Sequence, residues 1–242
     1  MRPALILALG LALAAVDVSR AAAPPDGNPR PEVLTASFLA AHPDIKFRMA
    51  GIEAMHDQLH EAAFEAFRDA SLYADKASQA MVAELYWSGT GVAQDRALAY
   101  AWMDLAAERG YTHFIALREK YWKQLDAAER ERAVQEGQAI YAEYGDSAAK
   151  PRLKRKLDAG RRQITGSRVG FVGALKVMVA GPTGEWLTLD GSTYYADHYW
   201  RADDYFEWQD RVWSAPPQGT VDVGPISSAA TRPQEAAPTK QE

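Results

Sequence analysis

The sequence has no cysteine among its 242 residues. Disulfides and thiolate metal sites are therefore excluded, as is a lipid attached through an N-terminal cysteine, so burial alone must hold the fold. There is also no apolar run long enough to span a bilayer. The longest, Ala4 to Val16, covers 13 residues, whereas a membrane helix needs roughly 20. Positive charge is not in excess: 27 Lys and Arg against 32 Asp and Glu give a net charge of -5. That sign argues against nucleic acid as the main partner. No cofactor motif is present. Gly89-Thr90-Gly91 lacks the lysine and hydroxyl that GxxxxGK[ST] places on phosphates, and reads as a turn. His56 and His60 are four apart, but they fall at an expected loop and helix start without the HExxH pattern. His42, His113 and His198 are isolated in sequence. No metal or cofactor site is expected.

What is present begins with the layout of a secretory signal. Arg2 precedes the apolar run, and small residues follow at Ser19, Ala21, Ala22 and Ala23. Cleavage is expected after Ala21, which takes the net charge to -6 by removing Arg2, Asp17 and Arg20. The mature chain would then be a periplasmic or secreted protein with no integral membrane segment. The composition divides it into a signal at 1–21, a flexible leader at 22–44, a helical region at 45–146, a basic linker or helix at 147–162, a small module at 163–226 and a disordered tail at 227–242.

The helical region repeats. Ile45, Met49, Ile52, Met55 and Leu59 step by three and four, which predicts one buried helical face. Ala62, Ala63, Ala66, Phe67 and Ala70 form a second stripe, and adding 36 to each gives Leu98, Ala99, Trp102, Met103 and Ala106. Further stripes follow at Phe114, Leu117, Tyr121 and Leu125, and at Ala133, Gly137, Ile140 and Tyr144. Asp126 and Glu129 have the spacing of a capping box. Six helices in three antiparallel pairs are expected, stacked as a short solenoid because each pair leaves an apolar side for its neighbour.

Between two of these stripes lies YWSGTGVAQDRALAYAWMDLAAERG, residues 86–110. A helix ending near Ser88 needs a residue that tolerates positive φ, which Gly89 or Gly91 supplies, while Val92 tucks into the pair and Asp95 caps the next helix. Small Ala106, Ala107 and Gly110 allow close helix approach around Trp102. The order and spacing of Tyr86, Gly89, Gly91, Val92, Asp95, Ala99, Trp102, Ala106, Ala107 and Gly110 resemble the Sel-one-like repeat (SLR) family, a relative of the tetratricopeptide repeat. The resemblance is close over residues 77–116 and looser over 45–146, and nothing after residue 150 is covered. Ala83 stands where the family commonly has glycine and Leu98 where it commonly has lysine. The preceding copy has Glu53 and Met55 at the positions of the loop glycines. The resemblance implies a helical scaffold that binds a protein or peptide partner on its concave side, often in bacterial cell envelopes. It implies no catalysis, because the family's recurring residues are mostly structural.

After residue 150 the style changes. Residues 150–162, KPRLKRKLDAGRR, carry seven cations and one acid, with Leu153 and Leu157 on one edge. Contact with anionic headgroups or envelope polymers, and pairing with the acidic stretch from Asp126 to Asp146, are both open readings. VGALKVMVA, EWLTL and STYYADHYW read as strands, with Asp190-Gly191 as a tight turn between the second and third. RADDYFEWQDRVW reads as a helix begun by Asp203 or Asp204, and GTVDVGPI as a last strand. The expected fold is thus mainly α, a short α-solenoid followed by a small β-rich α+β module. That module concentrates aromatic rings. Tyr195, Tyr199, Trp200 and Trp208, interleaved with acids, could stack on sugar faces and contact peptidoglycan, or could fill the core of a small module without disulfides. Asp203 and Glu207 are the candidates for a hydrolytic carboxylate pair, but sequence does not supply the separation that chemistry needs.

Overall fold

The computed structural model describes residues 29–162, 176–180 and 186–214. The signal, the strand over GTVDVGPI and the C-terminal tail lie outside them. After a 3-10 turn at Pro31–Val33, the helices are α1 (Ala36–Ala41), α2 (Pro43–His56), α3 (His60–Ser71), α4 (Lys76–Ser88), α5 (Arg96–Ala106), α6 (Thr112–Gln124), α7 (Ala127–Tyr144) and α8 (Asp146–Arg162). Then come β1 (Lys176–Ala180), β2 (Trp186–Asp190), α9 (Gly191–Tyr194), α10 (Asp197–Trp200) and α11 (Ala202–Ser214).

The fold is mostly helical, and its centre stacks at a constant offset. Contacts between α5 and α7 pair Asp95 with Arg132, Gly137 with Ala101, and Tyr141 with Asp104, separations of 36 or 37 residues. Each pair advances in the same direction, so α7 runs parallel to α5. Helix α4 meets α6 at a similar but shorter step of 34 residues, with Trp87 stacked on Tyr121 at 4.0 Å. Of the five equivalent positions in α3 and α5, Ala63 and Ala99, Phe67 and Met103, and Ala70 and Ala106 are buried in both copies. Trp102 is buried, Ala66 and Leu98 are half-buried, and Ala62 is exposed. The last pair departs from a simple hairpin, since α6 and α7 make their principal contacts with α5 rather than with each other.

Local chemistry sets the helix ends. Gly89 is the left-handed C-cap of α4 at φ 71°, and the Asp95 carboxylate accepts from the Leu98 N–H to start α5. Asp126 and Glu129 form the reciprocal capping box of α7. Gly91, also at φ 71°, lies so close to the start of α3 that a Cβ there would sit 2.2 Å from the His60 carbonyl oxygen. Around Gly89 the nearest atom would be Gln94 Cβ at 3.1 Å. Gly91→Ala is therefore expected to cost about 2–4 kcal/mol, through backbone strain and displacement of α3, and Gly89→Ala about 1 kcal/mol. Chemical denaturation of the two variants checks the order.

Three expectations are corrected. First, the leader placed at 22–44 is folded over its described part. Thr35 caps α1 through the Phe38 N–H, and Val33, Phe38 and Ala41 are buried with Leu153, Leu157, Tyr199 and Trp200. The rings that cover them are more than 150 residues away, out of reach of local pattern. Second, the α2 stripe faces outward. Ile45 is buried, but Met49 (39%), Ile52 (57%) and Leu59 (59%) are exposed, and the inward face carries Asp44, Arg48 and Gly51. Gly51 is there because the Phe67 ring occupies the space of a Cβ, 2.7 Å away. Third, STYYADHYW is not a strand. β1 and β2 pair antiparallel, with Lys176 opposite Asp190. The chain then enters α9, where the Asp190 carboxylate accepts the Ser192 N–H at 2.7 Å as a helix cap instead of closing a hairpin. The described part of the C-terminal module is thus more helical than β-rich, and α11 matches the helix read from RADDYFEWQDRVW.

Candidate functional site

The proposed sugar platform is absent as a surface. Tyr199 (1% exposed), Trp200 (4%) and Trp208 (1%) are core residues, and only Tyr195 is half-buried. Their edges meet: Tyr199 and Trp208 have centroids 5.4 Å apart at 80°, and Phe38 and Trp200 lie 5.7 Å apart at 87°. The Trp200 indole N–H donates to the Tyr194 carbonyl at 2.6 Å. These rings bind α9–α11 to α1, α2 and α8. A pyranose cannot reach faces that already cover one another.

Two other features remain. One is an open face on the stack. Ala77, Met81 and Glu84 are half-buried on α4 with Ser88 exposed, and at plus 36 on α6 come His113 and Leu117, half-buried, then Lys120 and Gln124, exposed. Equivalent positions on neighbouring repeats thus present an apolar centre, Met81 and Leu117, with charged neighbours. Helix α11 lies over the N-terminal end of this face, where Trp213 approaches His113 and Phe114 at 6.3 and 6.4 Å.

The other is a buried polar seam beneath α11. At its centre the Lys76 ammonium, with no side-chain exposure, donates to Glu108 Oε2 at 2.6 Å, Gln79 Oε1 at 3.0 Å and the Leu105 carbonyl at 3.1 Å, with Asp146 Oδ1 at 3.2 Å. Arg109 grips Asp146 with two bonds of 2.7 and 2.9 Å, and reaches Asp210 of α11 at 3.1 Å and the Ala74 carbonyl at 3.2 Å. Tyr111 donates to Asp210. Burial opposes ionisation of Asp146, but Arg109, Lys76 and Lys150 overcome it and hold the carboxyl below the usual range; burial likewise lowers Lys76. The network ties successive inter-repeat turns to α8 and α11.

At the other end of the seam Arg48 pairs with Asp75, and Tyr205 donates to Asp44 Oδ2. Asp44, Asp75 and Tyr205, with Tyr73, Phe206 and Gln209, line a cleft with room for about one water molecule. Nothing there is large enough for a sugar or a peptide. Among the described residues no group of His, Cys, Asp and Glu is placed to hold a metal ion. His56 is exposed and meets its neighbour Asp57, and His60 opens α3. Asp203 and Glu207 sit on α11 as exposed surface acids, Glu207 paired with Arg211 at 3.2 Å.

Two buried groups, one in the seam and one in the aromatic core beside it, have titrations that oppose. Burial, with Asp75 beside it, raises Asp44 to about 7. Its ionisation therefore costs stability at high pH, and the folded state gains as pH falls from 8 towards 5. His42 places both ring nitrogens against carbonyl oxygens, Phe38 at 2.8 Å and Tyr199 at 2.7 Å, and a neutral imidazole can donate to only one. Burial nevertheless dominates and lowers its pKa to about 4, so the folded state loses stability as pH falls from about 6.5 to 4. The two effects largely offset each other between pH 8 and 5. Asp44→Asn keeps an acceptor for Tyr205 and removes one of them. Relative to the native chain, the variant should be favoured at pH 8, and the difference should shrink or reverse by about 2–3 kcal/mol at pH 5. Parallel stability profiles across that range would contradict the assignment.

No family model matches the chain, and no curated protein matches it. Among solved structures, it is similar to a protective antigen present in uropathogenic Escherichia coli strains displaying an SLR fold. The identity is 24% over 46% of this chain and 22% of that one, with a TM-score of 0.35. The chain thus spans about a fifth of that antigen's length.

Proposed function

We propose that this protein is a non-catalytic, exported helical scaffold that binds a protein or peptide partner in the cell envelope. The observation that carries this reading is the open face of α4 and α6. Met81 and Leu117 are equivalent residues one repeat apart, partly exposed at the edge of the core and flanked by Glu84 and Lys120. Paired apolar anchors with polar neighbours suit an extended or helical peptide segment, whose side chains would engage one repeat after the other. The layout of residues 1–21 supports export. Among the described residues no helix is long and apolar enough to cross a membrane.

The test is crosslinking pull-down from the envelope of the native host, using the native chain and Met81→Glu/Leu117→Glu. The double variant is expected to stay folded with a lowered melting temperature, because both side chains pack partly against the core, and to lose the native chain's specific partners. An unchanged set of partners would sink the reading. The sugar-binding alternative has lost its stacking surface, since three of its four rings are core, and no other observation favours it.

A further inference from the structure

Charge in this molecule is unevenly placed. Residues 150–162 hold 7 of the 27 Lys and Arg and 1 of the 32 Asp and Glu, so this segment carries +6 and the remainder of the chain -11. In the structure, α8 sorts these residues by face. Leu153 and Leu157 are fully buried. Lys150 is occupied by Asp146 at 3.0 Å and by the Phe206 ring, and Arg152 donates to the Leu72 carbonyl at 2.8 Å. Lys154 pairs with Asp158 one turn on, at 2.9 Å. Arg155, Lys156, Arg161 and Arg162 are exposed and form no ion pair among the described residues. Arg155 and Arg162, two turns apart, fall in the middle of this outward face. Among the described residues, pairing with the acidic stretch from Asp126 to Asp146 therefore accounts for Lys150 alone.

The shape of the face narrows its partner. Among the described residues it is the outside of one helix, with no groove and no ring for stacking, and its apolar edge is sealed in the core. It can read density of negative charge but neither sequence nor shape. Its C-terminal end packs on the first of the described residues. Gly160 packs so tightly against Ala41 that a Cβ would sit 2.6 Å from it, and the Arg30 N–H donates to the Tyr199 hydroxyl at 3.2 Å in the same corner. At physiological salt, charges more than about 8 Å away are screened, so the acidic remainder does not cancel a patch in direct contact.

We infer that the outward face of α8 docks reversibly on an anionic lipid surface, by charge and without insertion. This goes beyond the partner-binding face of α4 and α6, and its failure leaves that reading untouched. The test is sedimentation of the full chain with vesicles of phosphatidylcholine containing roughly one-third phosphatidylglycerol, beside vesicles of phosphatidylcholine alone. Each basic side chain near such a surface is worth about a factor of five. Arg155→Glu/Arg162→Glu should therefore weaken binding to the anionic vesicles by about tenfold or more, with an unchanged melting curve. Salt at about 0.5 M should release the native chain. Equal binding by the native chain and the variant, or equal binding to neutral vesicles, would overturn the inference. So would capture by soluble polyglutamate with no vesicle binding, which would assign the face to an acidic polypeptide instead.

Discussion

Replacing Lys76 by Met is expected to destabilise the fold by about 3 kcal/mol, which for a chain of this size lowers the melting temperature by about 6–12 °C. The ammonium is fully enclosed and holds four acceptors: Gln79 of its own helix, Leu105 and Glu108 at the end of the second helix of its pair, and Asp146 at the start of α8. Removing it leaves two carboxylates facing one another across the turn. Asp146 keeps Arg109, and Glu108 retains 26% side-chain exposure, so the loss falls at the lower end of what breaking a buried ion pair costs. Equilibrium urea unfolding measures it. A loss below about 1 kcal/mol would show that the seam fills space without holding the repeats together.

Trp208→Ala is expected to cost about 3–5 kcal/mol, the range for deleting a fully buried indole. Trp208 is 1% exposed and lies within 5.4–5.6 Å, centroid to centroid, of the rings of Tyr199, Tyr205 and His198. The cavity would open between α10 and α11, so α11 should detach first, carrying Tyr205 off Asp44 and Asp210 off Arg109. Near-ultraviolet circular dichroism and thermal melting together follow this. An intact fold with lost binding to insoluble peptidoglycan is what a stacking platform would give, and the burial of the ring argues against that outcome.

Much of the helical centre was legible because its signals are local. The stripes of α3, α5, α6 and α7 follow the helical period, and the ends depend on residues adjacent in sequence: Gly89 at the αL position, Asp95 at the N-cap, and Asp126 with Glu129 in the capping box. Where the pattern misled, the deciding partner was distant. In α2 the apolar residues Met49 and Ile52 turn outward because Arg48 finds Asp75 across 27 residues and Asp44 finds Tyr205 across 161. No period within α2 contains that information. In STYYADHYW, Thr and Tyr favour strand on propensity, yet Tyr194, Tyr199 and Trp200 bury more completely as two short helical turns against Phe38. The folded leader and the aromatic core belong together, since Val33, Phe38 and Ala41 are buried in one cluster with those rings and with Leu153 and Leu157.

The open face was harder to find than the core, and for a related reason. Met81 and Leu117 look like core residues in sequence, being apolar and in phase with buried neighbours. Their partial exposure emerges only once α5 and α7 have taken the opposite side. The offset of 36 that exposes them was already visible in the stripes of α3 and α5. Comparing residues across that offset, rather than within one helix, could have located the face.

Everything rests on neighbouring repeats stacking in parallel at that offset, and a chain without cysteine allows a direct test. A Cβ added at Gly137 would lie 3.8 Å from Ala101 Cβ, the separation typical of a disulfide. In the variant Ala101→Cys/Gly137→Cys, mild oxidation of the folded protein should form one intramolecular bridge in nearly every molecule, seen as faster migration without reductant and loss of both free thiols. Two thiols that stay free under oxidation, or that bridge only between molecules, would show that α5 and α7 do not lie side by side in this register.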